Sequence, residues 1–252
     1  AEDYKIFGDN LMTYAHLYED HADASLTVDN IYSEAGEKIT LKLDQRLTLS
    51  QNMQAFYHKY DKLKRAQKLL DGQIALCEEN IRYLSSVESS LAASSTLPEI
   101  EEIKDELIQS GFLKESTKKK RQDKPSAPFR FVTEDGKSIL VGKNNYQNDR
   151  LTFHTAAPDD IWLHAKDIPG SHVILRLSGE EPSEESLHHA ALLAAHFSKA
   201  QDSSNVPVDY TYRRYVKKPS GSRPGFVIFT HQKTLYVTPS AEDAARLLLE
   251  ER

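Results

Sequence analysis

Residues 159–176, DDIWLHAKDIPGSHVILR, place aromatic, imidazole and cationic side chains around a Pro-Gly turn. Successive side chains of a strand point to opposite faces, so one face of the predicted hairpin carries Trp162, His164, Lys166, His172 and Arg176. Asp167, Pro169 and Gly170 shape the turn, where Gly170 lets a second backbone approach. Such a face suits stacking and charge-assisted contact with single-stranded or looped nucleic acid. The alternative is a core tryptophan with histidines that are satisfied by their neighbours.

A second segment, YTYRRYVKKPSGSRPG at residues 210–225, alternates tyrosines with cations and ends in a Gly/Pro/Ser loop. This composition is typical of a site for an RNA backbone, and it adds five candidate contacts: Arg213, Arg214, Lys217, Lys218 and Arg223. An edge strand protected by positive charge would have the same pattern. The nucleic-acid interpretation is the favoured one.

Other chemistries find little support in the sequence. His189 and His196 share a face of a predicted helix and could bind zinc together with His164 or His172, but no H-E-x-x-H motif or Cys pair accompanies them. Ser171 and His172 are neighbours in a strand, so their side chains point apart and make no catalytic dyad. We predict no metal site, no cofactor and no enzymatic activity.

The elements that position these residues form a predicted domain over residues 128–252. FRFVTEDGKSILVG reads as a hairpin that turns at Asp135-Gly136, KNNYQNDRLTFHTA as a helix, and PSEESLHHAALLAAHFSKAQ as an amphipathic helix capped near Ser183. VPVDYTYRRYV, FVIFTH and TLYVT add strands, and 241–250 is a last helix. In the hairpin around Pro169-Gly170, the face opposite Trp162 is the predicted core face. It carries Ile161, Leu163, Ala165, Val173, Leu175 and Leu177. An α+β domain with a largely antiparallel sheet follows.

Residues 1–116 have a different pattern. We predict a helix over 1–20, a β-hairpin over 26–44, a long helix over 51–93 with Ser50 as its N-cap, and a return helix over 97–112. Apolar residues at 4-3 spacing from Phe56 to Leu91 indicate a coiled-coil seam. The predicted fold class is therefore α+β, with an antiparallel helical coiled-coil rod and a small β-hairpin ahead of the second domain. The rod is interpreted either as a spacer or dimerisation device, or as an arm that carries its hairpin tip to a distant surface.

Charge divides the chain in the same place. From Thr117 onwards there are 20 Lys+Arg against 17 Asp+Glu, and before it 12 against 21, within a net charge of -6. The two parts are expected to face different partners. Residues 117–127, in KESTKKKRQDKPSAP, form a basic linker that is either solvated or in contact with phosphate.

Composition sets further limits. The single cysteine, Cys77, excludes an internal disulfide framework. No apolar run approaches the roughly 20 residues that span a bilayer, so we expect a cytoplasmic protein without membrane insertion. The chain opens inside a helical pattern without Met, and we expect it to be a piece of a longer protein.

The string DIWLHAKDIPGSHVILR closely resembles the signature of the NFACT-R domain, the RNA-binding module of the NFACT family. Upstream, KIFGDNL, GEKITLKLD, LTLSQNMQAFYHKYDKLKRA and EIEEIKDELIQSGFLK are similar to that family's coiled-coil and middle region. The resemblance covers nearly the whole chain. It also implies an N-terminal module with an Asp-Arg pair for tRNA selection and a helix-hairpin-helix, neither of which is found in these 252 residues.

The resemblance implies a role in ribosome-associated quality control. Members of the family bind a large ribosomal subunit that is obstructed by peptidyl-tRNA, and bacterial members recruit alanyl-tRNA to add C-terminal alanine tails. The first hypothesis is therefore a factor that binds RNA and the ribosome, with the large subunit and tRNA as partners. Streptococcal members are often named fibronectin/fibrinogen-binding proteins, so the second is an adhesin at the cell surface, reached by non-classical export. The two activities could coexist, and the sequence leaves the oligomeric state open.

Overall fold

The computed structural model describes residues 1–18, 23–114 and 126–240. The chain divides into two compact units, Ala1–Glu79 and Asn80–Arg252. The boundary lies inside the long helix, upstream of the predicted basic linker. Most of that linker, the last two residues of the predicted helix 1–20 and the predicted helix 241–250 lie outside the described residues. None of the described helices combines the length and the apolarity that a bilayer span requires.

The first unit packs one helix and a hairpin on the start of the long helix. It comprises α1 (Glu2–Tyr14), a 3-10 turn (Ala15–Leu17), β1 (Ser25–Asp29), β2 (Lys38–Lys42) and the first part of α2 (Leu49–Ala93). Its core consists of Leu11, Val28, Leu41, Leu43 and Leu49. The predicted helices and hairpin are confirmed, but the cap is not Ser50. Thr48 Oγ1 accepts from the Gln51 amide at 3.2 Å, and Gln51 Oε1 accepts from the Thr48 amide at 2.9 Å, the reciprocal pattern of a capping box.

The predicted seam of α2 is largely uncovered within each unit. Residues 61–78 are exposed without exception, including Leu70 and Ile74, which are 55% and 56% exposed. Near the end of the helix, Tyr83 and Val87 are buried against Ile103, whereas Leu84 and Leu91 of the predicted seam stay exposed. The buried stripe is thus offset from the seam predicted by the apolar spacing.

The second unit begins with the end of α2 and the return helix α3 (Leu97–Gln109), which starts with a capping box at Thr96 and Glu99. Its sheet and helices follow in the order β3 (Phe129–Val132), β4 (Ser138–Val141), α4 (Asn145–Arg150), a π-helix (Leu151–Thr155), β5 (Ile161–Ala165), β6 (Val173–Leu175), α5 (Glu184–His196), β7 (Val206–Tyr212), a 3-10 turn (Arg213–Tyr215), β8 (Val216–Lys217), β9 (Ile228–Phe229) and β10 (Lys233–Val237). Six strands form one antiparallel sheet in the order β10-β7-β5-β6-β4-β3. The predicted α+β class and antiparallel sheet are confirmed.

The two faces of this sheet are both covered. The predicted core face is confirmed, because all six of its side chains pack with Ala190–Ala195 of α5, whose N-cap Ser183 accepts from the Ser186 amide. On the other face, Trp162 and Ile174 form a second core with Leu151 of the π-helix and Val216 of β8. That core, and not solvent, lies above the face that was predicted to meet nucleic acid.

One face of α3 joins this helix to α4 through carboxylates. Glu99, Glu102 and Glu106 are spaced three and four residues apart and so lie on the same side of the helix. They accept hydrogen bonds from Lys143 Nζ at 2.8 Å, Asn144 Nδ2 at 2.7 Å and Asn145 Nδ2 at 2.8 Å, respectively. The amide-rich sequence KNNYQ therefore has its polar groups satisfied by α3.

Candidate nucleic-acid interface

The cationic surface of the second unit is carried by a segment that we call the basic ribbon, Arg213 to His231. It contains the 3-10 turn, the short antiparallel pair β8–β9 and the loop between these strands. Arg214, Lys217 and Lys218 are exposed along it. Arg150, at the end of α4, is also exposed, and the contact of Lys218 Nζ with Asp149 brings the ribbon to this part of α4.

The underside of the basic ribbon is fixed by the second core. The Trp162 ring lies 4.8 Å from the Phe229 ring of β9, and Val216 of β8 packs in the same cluster. Trp162 itself is 1% exposed. It therefore offers no open face for stacking in this conformation, and its role is to position the ribbon.

Arg213 is also an internal residue of this assembly. Its guanidinium donates to the carbonyl oxygens of Thr152 at 2.7 Å and Phe153 at 3.2 Å in the π-helix. Its backbone amide donates to the Asp160 carbonyl at 2.8 Å. Arg214, the next residue, points outwards and forms an ion pair with the exposed Asp159. Arg213 and Arg214 were both predicted to contact nucleic acid, but only Arg214 is exposed.

The two histidines of the predicted face lie around Trp162. His172 is 2% exposed, and its Nδ1 is 2.8 Å from Thr152 Oγ1. The His164 ring is stacked parallel to the Trp162 ring at 5.8 Å, and the two imidazoles meet edge to face at 5.6 Å. Burial lowers the pKa of His172 to about 3 and also holds the pKa of His164 below its usual value. Both are therefore neutral at physiological pH, and neither is a phosphate-binding cation.

Arg176 and Arg223 are engaged within the fold. Arg176 Nε lies 2.8 Å from Oδ2 of the buried Asp160. Asp160 also accepts from the backbone amides of Ala157 at 2.7 Å and Leu177 at 3.0 Å. The Arg223 guanidinium lies over the rings of Tyr83 at 5.0 Å and Phe112 at 4.9 Å, where it contacts Asn80. Both arginines connect elements of the second unit.

The predicted turn is built differently from a Pro-Gly hairpin. The chain turns at Lys166 and Asp167, where Asp167 has a φ of 55°. The Pro169 carbonyl accepts from the Lys199 amide at 2.9 Å, and Gly170 forms a bridge with Ser198. A Cβ on Gly170 would be 3.1 Å from the Phe197 carbonyl oxygen, so this glycine permits the close approach of a second backbone.

Lys166 is exposed, but it does not join the basic ribbon. In the register of β5 with β7, Ile161 is opposite Tyr212 and Ala165 opposite Val208. Lys166 therefore follows one end of β5, and Arg213 to Tyr215 adjoin the other, about 20 Å away along the strand. The predicted contact set is thus divided between two ends of the sheet and its interior.

Three rings that were not in the predicted contact set lie at the ribbon, and they belong to Tyr212, Tyr215 and His231. The Tyr215 and His231 rings are stacked at 4.3 Å with an interplanar angle of 27°. The Arg214 guanidinium lies 4.3 Å from the Tyr212 ring and 5.2 Å from the Tyr215 ring. The tyrosines were visible in the sequence, but the contact with His231 depends on the pairing of β8 with β9, which short strands do not reveal.

The second unit offers little to a metal ion. No group of three or more His, Cys, Asp or Glu side chains is arranged around a common point within residues 1–18, 23–114 and 126–240. His189 and His196, which were weighed as zinc ligands, belong to no such group. The described side chains of the ribbon offer charge, hydrogen bonding and ring stacking.

Two family models match the chain, and they meet at residues 126 and 127, inside the second compact unit. Residues 1–126 match the family model described as NFACT N-terminal and middle domains. Residues 127–230 match the NFACT protein RNA binding domain, a range that ends within the basic ribbon. Two curated relatives are named Rqc2 homolog RqcH. The Bacillus subtilis protein is 42% identical over 98% of this chain, and the Streptococcus suis protein is 45% identical over 93% of it. The chain spans 43% and 42% of their lengths.

A solved structure is similar as well. It is the C-terminal part of the fibronectin/fibrinogen-binding protein from Streptococcus suis, with a TM-score of 0.72 and 45% sequence identity. The similarity covers 79% of this chain and 80% of that one. These matches extend over both units and include the residues of the ribbon, and the chain therefore belongs to the NFACT family.

Proposed function

We propose that this chain binds RNA through the basic ribbon. The observation that carries the proposal is the exposure of Arg214, Lys217 and Lys218 on one ribbon, whose underside packs on Trp162 through Val216 and Phe229. A ribbon fixed from below holds its cations in place before RNA arrives, which reduces the ordering cost of binding. The match of residues 127–230 to the family's RNA binding domain supports RNA binding by this part of the chain.

The exposed cations act on the phosphate backbone. Lys218 and Arg214 are each paired with a carboxylate, Asp149 and Asp159 respectively. The Arg214–Asp159 pair is exposed on both sides, and exposed ion pairs contribute little to stability, so a phosphate can replace Asp159 at small cost. Binding through phosphates releases counterions, and the affinity should fall steeply as salt rises.

The test is a salt series of tRNA binding by the 252-residue chain. The double substitution Lys217→Ala and Lys218→Ala should weaken binding roughly tenfold at low salt and reduce the salt slope by about one for each of the two lysines that neutralises a phosphate. Lys104→Ala removes an exposed cation of α3 and serves as the matched control with no effect. If the double variant kept both the affinity and the slope of the wild type, the ribbon would not be the RNA site.

The role of the whole protein is proposed from its relatives. We propose that it serves ribosome-associated quality control in the cytoplasm, where it binds the large ribosomal subunit and tRNA and supports C-terminal alanine tailing of stalled chains. The name Rqc2 homolog RqcH of two relatives supports this. In this role the chain contributes binding surfaces and no catalytic step of its own. Co-sedimentation with purified large subunits, abolished by substitution of Lys217 and Lys218, is the expected result, and sedimentation unaffected by that substitution would contradict it.

A second candidate function is binding of fibronectin or fibrinogen. It is favoured by the name of the Streptococcus suis protein whose structure is similar. Immobilised fibronectin distinguishes the two functions, because adhesion should tolerate salt whereas RNA binding should weaken steeply as salt rises. Saturable fibronectin binding without affinity for tRNA would make adhesion the function of this chain.

A further inference from the structure

The basic ribbon carries an exposed imidazole, that of His231, which stacks on one aromatic neighbour, Tyr215. His231 is exposed, and the half-buried Tyr215 stacks on it at 4.3 Å. Tyr215 covers one of the two faces of the imidazole, and no second ring contact of His231 is seen among the described residues. The Thr230 amide donates to the Tyr215 carbonyl at 3.3 Å and holds the two segments together.

The backbone at His231 is held in an unfavourable conformation. Its φ is 58°, in the left-handed region that residues other than glycine seldom adopt. Glycine would adopt this conformation readily. The position nevertheless carries a ring, and the left-handed turn between β9 and β10 places that ring on Tyr215.

Two cations lie next to Tyr215, one in space and one along the chain. Arg214 contacts the ring of Tyr215 from its own position in the 3-10 turn, with its guanidinium 5.2 Å from the ring centroid. Tyr215 is followed by β8, in which Lys217 is exposed. An open ring face beside phosphate-binding groups matches the way proteins hold single-stranded nucleic acid, with bases on aromatic rings and phosphates on cations.

We propose that the open face of His231 is a stacking platform for an unpaired nucleobase. This inference rests on the proposed RNA binding and assigns one of its contacts to a residue. Tyr215 supports the imidazole from behind, and Arg214 and Lys217 bind the phosphates that flank the base. The platform selects unpaired over paired RNA, because a base within a duplex has no free face.

The test compares two probes by fluorescence anisotropy at low salt. One is single-stranded oligoadenylate of about ten nucleotides, and the other is an abasic oligomer of equal length that keeps the sugar-phosphate backbone. The wild type should bind oligoadenylate about tenfold more tightly than the abasic oligomer. His231→Asn keeps a residue that tolerates the left-handed region but removes the ring, and it should lose about that tenfold on oligoadenylate alone.

Controls separate this platform from the phosphate site. His231→Phe keeps a ring and should retain most of the affinity for oligoadenylate, whereas His188→Asn makes the same exchange on an exposed residue of α5 and should change nothing. The double substitution Lys217→Ala and Lys218→Ala should weaken binding of both probes. Equal binding of oligoadenylate by His231→Asn and the wild type would overturn the platform while the proposed function stood. A wild type that bound neither probe would overturn the proposed function and the platform with it.

Discussion

Trp162 is a core residue of the second unit, and it presents almost no surface of its own. Trp162→Ala should lower the free energy of unfolding by about 3 to 5 kcal/mol, because it opens a cavity beneath β8 and β9. Trp162→Phe should cost less, since it keeps an aromatic ring and removes an indole N–H that has no hydrogen-bond partner among the described residues. Urea denaturation followed by circular dichroism measures both. Loss of RNA affinity in Trp162→Phe at full stability would show instead that the indole contacts RNA.

Arg213 and Arg214 form a natural matched pair. Arg213→Ala leaves the Thr152 and Phe153 carbonyls without their charged donor, and the unfolding free energy should fall by about 2 to 3 kcal/mol. Arg214→Ala removes an exposed side chain and should leave the denaturation midpoint unchanged while it weakens RNA binding and lowers its salt slope. The same two measurements on both variants decide the assignment. It would be refuted if Arg213→Ala were stable and Arg214→Ala bound RNA normally.

At the scale of elements, the joint between α3 and α4 holds two glutamates with opposite responses to pH. Burial raises the pKa of Glu106 above its usual value of 4.5, although Asn145 and Tyr83 donate to its carboxylate. Burial also raises the pKa of Glu99, but hydrogen bonds from Lys143 and from the amides of Ser95 and Thr96 outweigh it and hold the pKa below 4.5. The charged form is therefore disfavoured at Glu106 and favoured at Glu99.

Substitution of each glutamate by glutamine should change stability in opposite directions at pH 7. The contribution of Glu106 to stability falls as pH rises from 4.5 through its folded pKa, so Glu106→Gln should be more stable than the wild type at pH 7. The contribution of Glu99 is present above pH 4.5 and disappears as pH falls through its folded pKa, so Glu99→Gln should be less stable at pH 7 and match the wild type in acid. Urea midpoints from pH 3 to pH 8 test this. Parallel pH curves for the two variants would contradict it.

What the sequence could predict at this scale depends on how local the signal is. The alternation Ile161, Leu163, Ala165 correctly predicted the core face, and Ser183 correctly predicted the start of α5, because strand period and caps are set by neighbouring residues. The same alternation could not say that the opposite face is also buried. Its cover is the π-helix and the two-residue strands β8 and β9, and so short a strand has no measurable period.

The helix α2 illustrates the same limit. The sequence predicted a helix over 51–93, and α2 spans Leu49–Ala93. The residues buried against α3 are nevertheless Tyr83 and Val87, next to the predicted seam position Leu84. Tyr83 is buried here because its hydroxyl donates to Glu106 at 2.8 Å and its ring stacks on Phe112 at 5.6 Å. A hydrophobicity pattern does not register such polar partners.

At the scale of the molecule, each compact unit has a core of its own. The first unit is centred on Leu11 and Leu41, and the second on the two faces of its sheet. The only tryptophan of the chain, Trp162, lies in the second unit. Its fluorescence therefore reports the second unit alone, whereas far-ultraviolet circular dichroism reports the helices of both.

This difference between probes permits a test of whether the units unfold separately. Leu11 is fully buried, and Leu11→Ala should cost about 2 to 5 kcal/mol in the first unit. We expect its circular dichroism transition in urea to begin at lower denaturant while the fluorescence midpoint and RNA affinity stay as in the wild type. Leu163→Ala, at an equally buried position of the second unit, should move the fluorescence midpoint. If Leu11→Ala moved both probes together, the chain would unfold as one cooperative unit, because two-state unfolding makes all probes coincide.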